Sequence, residues 1–181
     1  LAVSWFFYYK TSGLFLLILV FITLSDWLIA KRIHNAKIEK RETRAKWWLT
    51  LSVVIDLGLL CYFKYAYFFT NVVNDLLGTE FVVFDIFAYI GNGLSASGRF
   101  MVDSIILPVG ISFYLFQVMS YTIDVYRGQV KPVKSILDFG FYVSFFPSLV
   151  AGPIVRANEF IPQLYRPFRL SRRLAGLAVF W

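Results

Sequence analysis

Two long apolar runs separated by a dense basic cluster constrain this chain more than anything else in it. Leu14 to Ala30 is almost entirely aliphatic or aromatic, with Asp26 its one charge. At 1.5 Å per residue its length approaches the ~30 Å hydrocarbon core of a bilayer. Trp47 to Phe69 repeats the pattern, with Trp47 and Trp48 suited to one interface and Tyr62, Tyr65, Tyr67, Phe68 and Phe69 to the other. A chain of 181 residues that is 59% hydrophobic and 20% aromatic holds more apolar surface than a soluble core can bury. Lipid is the expected solvent, and the fold class an all-α, multi-spanning transmembrane helical bundle.

Between the runs, Lys31, Arg32, Lys37, Lys40, Arg41, Arg44 and Lys46 face only Glu39 and Glu42. By the positive-inside rule this loop, 31–46, lies in the cytoplasm. The net charge of +7 is therefore topological: the basic residues sit between spans, so nucleic acid is not an expected partner.

The same reading predicts a partial span over 1–9, a turn at Lys10 to Gly13, spans at 14–30 and 47–69, and a return over 105–126. Asn71 to Asp103 reads as outside, with a turn at the Gly91 to Gly98 cluster and 81–90 near the interface. The segment 136–154 is apolar but interrupted by Gly140, Pro147, Gly152 and Pro153. A single outward crossing there would carry Arg156, Arg166, Arg169, Arg172 and Arg173 to the wrong side. A broken or re-entrant segment is expected instead, which requires protein or a water-filled cavity beside it. A further partial span is expected at 174–181. Because the sequence opens at Leu1 within an apolar stretch and stops at Trp181 as another begins, it is read as one membrane domain cut at both ends.

Polar residues within the spans are the candidates for chemistry. Gln117, Ser120, Tyr121 and Asp124 fall at i, i+3, i+4 and i+7, on one helix face. Such a stripe lines a substrate path or bonds neighbouring helices, and spacing alone leaves both readings open. Asp124 and Arg127 are placed for an i, i+3 ion pair. Asp56 lies deep in its run and needs a partner from another helix, whether for function or for a buried bond. Lys64 is too far along the axis to be that partner, and Asp26, nearer a helix end, is weaker evidence.

Other chemistries find no support. Cys61 is the only cysteine and is expected to be a small buried core residue. His34, the only histidine, stands in the basic segment with no acid or thiol cluster around it, so no metal site is expected. No GxSxG, HExxH, P-loop or GxGxxG element occurs.

LPVGISFYLFQVMSYTIDVYRG at 107–128 and DFGFYVSFFPSLVAGPIVRANEFIPQL at 138–164 closely resemble the membrane-bound O-acyltransferases, most nearly the branch of alginate O-acetyltransferase membrane subunits. LGLLCYFKYAYFF at 57–69 is similar to the segment preceding those motifs, although the resemblance leads one to expect Asn where Asp56 stands. GISFY, TIDVYRG and VAGPIVR arrive in order and at suitable separations over nearly the whole chain.

The resemblance implies an N-terminal piece of a helical bundle around a tunnel, in the bacterial inner membrane. An acyl thioester, acetyl-CoA or an acyl carrier, would arrive from the cytoplasm, and no cofactor would stay bound. The acceptor would be a hydroxyl of an extracytoplasmic polysaccharide, reached with a periplasmic acetyltransferase partner. The expected catalytic histidine would lie on a later helix, beyond Trp181, so no catalytic residue is expected within this chain. By correspondence of motifs, Gly110, Ser112, Phe113, Gln117, Tyr121, Asp124, Tyr126 and Arg127, together with Ser120 from the stripe, are tunnel-wall or substrate-path candidates. Gly152, Pro153 and Arg156 are donor-side candidates, with Arg156 equally readable as a positive-inside anchor. D-alanyl transfer to teichoic acid on the same fold, a polysaccharide transporter and a purely structural module remain alternatives.

Overall fold

The computed structural model describes residues 1–87, 89, 105–145 and 155–165, and every described element is helical. Helix α1 (Ala2–Ser12) ends at Gly13, whose φ of 57° and ψ of −128° break the helix where a side chain would be strained. The expected turn thus contracts to one residue, followed by a single 3-10 turn (Gly13–Phe15) and α2 (Leu16–Ile38). At 23 residues α2 spans about 34 Å, enough to cross a bilayer.

The basic stretch is not the loop expected over 31–46. Helix α2 runs through it to Ile38, and α3 (Glu42–Leu60) starts after three intervening residues. Lysine and arginine are good helix formers, the stretch holds no Gly or Pro, and long basic side chains reach water from a helix end by snorkelling. The turn itself is tight: Arg41 N–H donates to the Ala36 carbonyl (2.9 Å) and Lys40 N–H to that of Lys37 (3.1 Å), with Lys40 left-handed at φ 55°.

Helix α3 passes through a π-helical turn (Cys61–Tyr65) into α4 (Ala66–Leu77), which Gly78 caps in the left-handed conformation. The helix therefore overruns the expected boundary at Phe69. Cys61 is exposed on the outer surface of the π turn, which corrects its assignment to the core. Helix α5 (Ile111–Tyr126) is shorter than the 105–126 expected, because Pro108 and the left-handed Gly110 hold the chain out of the helix until Ile111. Helices α6 (Ile136–Val143) and α7 (Ala157–Leu164) have eight residues each, about 12 Å, too short to cross alone. The remainder of the interrupted segment, 146–154, and the 166–181 stretch lie outside the described residues.

Burial shows what the helices face. On α2, Leu19, Ile22, Ile29, Ala30 and Ile33 are buried, whereas Leu17, Phe21, Leu24 and Leu28 are between 46% and 63% exposed. An exposed face this apolar, repeated on α3 at Leu51, Val54 and Leu57, is stable only in lipid. The inner faces of α2, α3 and α5 pack on one another and form the core.

Candidate functional site

Where α2, α3 and α5 cross, the apolar core gives way to a polar knot. Asp26 of α2, Ser52 and Asp56 of α3, and Thr122 of α5 are all buried. Ser52 Oγ donates a short hydrogen bond to Asp26 Oδ1, and Thr122 Oγ1 lies 3.3 Å from the same oxygen while also bonding its own helix at the Val118 carbonyl (3.1 Å). Asp26 thus ties three helices together. Asp56, fully buried on α3, has no hydrogen-bond partner among the described residues, so the partner expected from another helix is not seen there. Asp26, near a helix end in sequence, is buried at the centre of this knot. Its signal was present: Asp26, the i, i+4 pair Ser52 and Asp56, and Thr122 each interrupt an otherwise apolar face, and buried polar groups must find one another.

A second polar line runs from α5 toward α7. Gln117 is buried and its Nε2 donates to the Tyr142 carbonyl at 2.9 Å. The Tyr142 hydroxyl donates to the Val155 carbonyl at 3.0 Å, one residue before Arg156. Tyr121 is buried, accepts a bond from Val133 N–H (3.0 Å), and packs its ring 4.6 Å from that of Phe139. Phe160 of α7 closes the cluster, its ring centroid 5.6 Å from Tyr142 and 5.1 Å from Phe145. Trp27 Nε1 donates to the Val133 carbonyl (2.9 Å), so α2 anchors the segment after α5 as well.

The fold thus divides the expected stripe. Gln117 and Tyr121 face protein and bond its backbone, whereas Ser120 and Asp124 are half-buried and Arg127 is exposed. The expected ion pair between Asp124 and Arg127 does not form: the ion pairs among the described residues join Lys37 to Glu42 (2.9 Å) and Arg41 to Glu39 (3.4 Å). Asp124 instead serves through its backbone carbonyl, which accepts from Gln129 N–H (2.9 Å) and stops the helix. Of the other motif positions, Gly110 starts α5, while Ser112 and Tyr126 are half-buried and Phe113 is 40% exposed. Lys64 is exposed, and His34 is half-buried on α2. Among the donor-side candidates Arg156 is exposed at the N-cap of α7, with its carbonyl accepting from Glu159 and Phe160 N–H. Gly152 and Pro153 lie outside the described residues. No group of three metal-ligating side chains occurs among the described residues.

One open groove of about 800 Å³ lies at the α2–α3 turn, lined by Lys40, Arg41, Arg44, Trp47, Trp48 and Leu51. Its basic rim over exposed indole and leucine surface suits the boundary between headgroups and acyl chains.

This division predicts a labelling pattern. With Cys61→Ala as background, cysteines at Gln117 and Tyr121 should stay unreactive toward a water-soluble maleimide while one at Asp124 reacts. Reaction at position 117 in folded protein would put water behind α5 and return that residue to a substrate path.

No family model matches the chain, and no solved structure matches it. Curated relatives do. The probable alginate O-acetylase AlgI of Azotobacter vinelandii is 36% identical over 99% of this chain and 33% of its own length. That of Pseudomonas aeruginosa is 37% identical over 90% of this chain and 28% of its own. The peptidoglycan O-acetyltransferase of Helicobacter pylori is 27% identical over 88% of this chain and 31% of its own. The chain spans about a third of the length of each.

Proposed function

We propose that this chain belongs to the membrane-bound O-acyltransferase family and is part of an enzyme that acetylates hydroxyl groups of a polysaccharide outside the cytoplasmic membrane. The observation that carries the reading is that relatives named for two different glycans, alginate and peptidoglycan, share one chemistry, formation of an O-acetyl ester. In that reaction the glycan hydroxyl oxygen attacks the carbonyl carbon of a thioester. The C–S bond breaks, the sulfur leaves as thiolate, and the hydroxyl proton passes to a general base. The residues described here bring scaffold to that reaction. The Asp26 knot and the Gln117–Tyr142–Val155 line fix three apolar helices and the segment carrying Arg156, an exposed cation suited to a phosphorylated thioester donor. The basic end of α2 and the start of α3 face the cytoplasm in this reading, where such a donor resides.

The test uses the full-length protein. Cells expressing it should carry base-labile acetate on their extracted envelope polysaccharide, at levels lost on deletion of its gene. Base-labile D-alanine in place of acetate, or no ester at all, would overturn the reading.

A further inference from the structure

The groove at the α2–α3 turn holds more positive charge than its own carboxylates neutralise. Glu42 pairs with Lys37 at 2.9 Å and Glu39 with Arg41 at 3.4 Å, which leaves Lys40 and Arg44 without an ion pair among the described residues. Arg44 and Trp48 line both this groove of about 800 Å³ and a smaller one of about 180 Å³ beside it. Arg32, also outside those ion pairs, lines the smaller one, its guanidinium 5.7 Å from the Trp48 ring centroid. Below the cations the surface changes character along α3. Arg44, Trp47, Leu51 and Val54 stand at i, i+3, i+7 and i+10, on one helix face, and Trp47, Leu51 and Val54 are 72%, 39% and 61% exposed. Over the ~15 Å from Arg44 to Val54 this face passes from cation to amphipathic ring to aliphatic surface.

We propose that this groove holds one anionic phospholipid of the surrounding bilayer, its phosphate on Arg44 and Lys40 and an acyl chain along Trp47, Leu51 and Val54. The lipid has the same order as the helix face: phosphate, glycerol, hydrocarbon. A guanidinium beside a phosphate forms charge-assisted hydrogen bonds, and basic clusters at the end of a span attract anionic headgroups. A zwitterionic lipid brings its own cation to a place where Arg44 and Lys40 already stand uncompensated, and a soluble anion would leave the exposed indole and leucine below it uncovered. The assignment does not depend on the acyl-transfer reading.

Native mass spectrometry of the full-length protein in detergent, with dioleoyl phosphatidylglycerol and dioleoyl phosphatidylcholine added in equal amounts, tests this. Wild type should retain one phosphatidylglycerol in preference to phosphatidylcholine. Arg44→Gln and Lys40→Gln should each weaken that retention about fivefold, the worth of one basic residue at an anionic surface. Lys46→Gln removes the same charge from an exposed position outside the groove and should bind as wild type does. All three side chains are exposed, so melting temperatures without added lipid should stay in the wild-type range. Equal retention of the two lipids by wild type, or an equal loss in Lys46→Gln, would overturn the proposal by reducing it to diffuse charge. Displacement of the bound phosphatidylglycerol by millimolar inorganic phosphate or acetyl-CoA would also overturn it, by assigning the groove to a soluble phosphate.

Discussion

Replacing Asp26 by leucine should cost the bundle about 3–5 kcal/mol, the range seen when one partner of a buried charged cluster is removed and the others stay. Ser52 Oγ and Thr122 Oγ1 lose their shared acceptor inside the core, and a buried hydroxyl left without one keeps its desolvation cost. Because Ser52 lies on α3 and Thr122 on α5, the damage falls on the contacts of α2 with both helices at once. Asp26→Asn keeps a side-chain oxygen for the hydroxyls. It should stay within about 1 kcal/mol of wild type. Thermal unfolding in detergent, followed by tryptophan fluorescence, distinguishes the two. A leucine variant that melts with wild type would show that the knot is incidental to helix packing.

The two apolar runs and the basic cluster between them specify lipid-facing helices, because span length and interfacial charge are local properties of the chain. Helix ends were less legible. The basic stretch looks like a loop by charge, yet nothing in it prevents helix, so α2 and α3 extend until Lys40 makes the turn. Conversely Pro108 and Gly110, visible in the sequence, delay α5 beyond its apolar start. Cys61 illustrates the limit in a membrane protein: an apolar setting predicts burial in water, but in lipid the outward face is apolar as well.

Within the candidate site, periodicity located the α5 stripe but not its partners. Gln117 and Tyr121 reach the backbone of Tyr142 and Val133, and backbone acceptors leave no mark on side-chain identity. Asp124 and Arg127 have the spacing of an ion pair, but the helix ends between them and the turn uses the Asp124 carbonyl instead. The link from Tyr142 to Val155 could not be anticipated, since it depends on α6 and α7 packing side by side.

That link carries the second large effect. Tyr142→Ala should cost about 3–5 kcal/mol by leaving a cavity among the Phe139, Phe160 and Tyr121 rings. Tyr142→Phe retains the ring and gives up only the bond to the Val155 carbonyl, about 1 kcal/mol. The phenylalanine variant is the informative one for function. If Arg156 contacts an anionic donor, its placement depends on the neighbouring Val155 anchor. In the full-length enzyme Tyr142→Phe should then raise KM for the thioester several-fold with kcat nearly unchanged. Arg156→Ala should shift KM in the same direction by about 10- to 100-fold, the worth of a charge-assisted contact. Combining the two should give little more than Arg156→Ala alone, because residues acting through one contact are not additive. Independent effects in the double variant would leave Tyr142 as packing and Arg156 as a charge at the membrane surface.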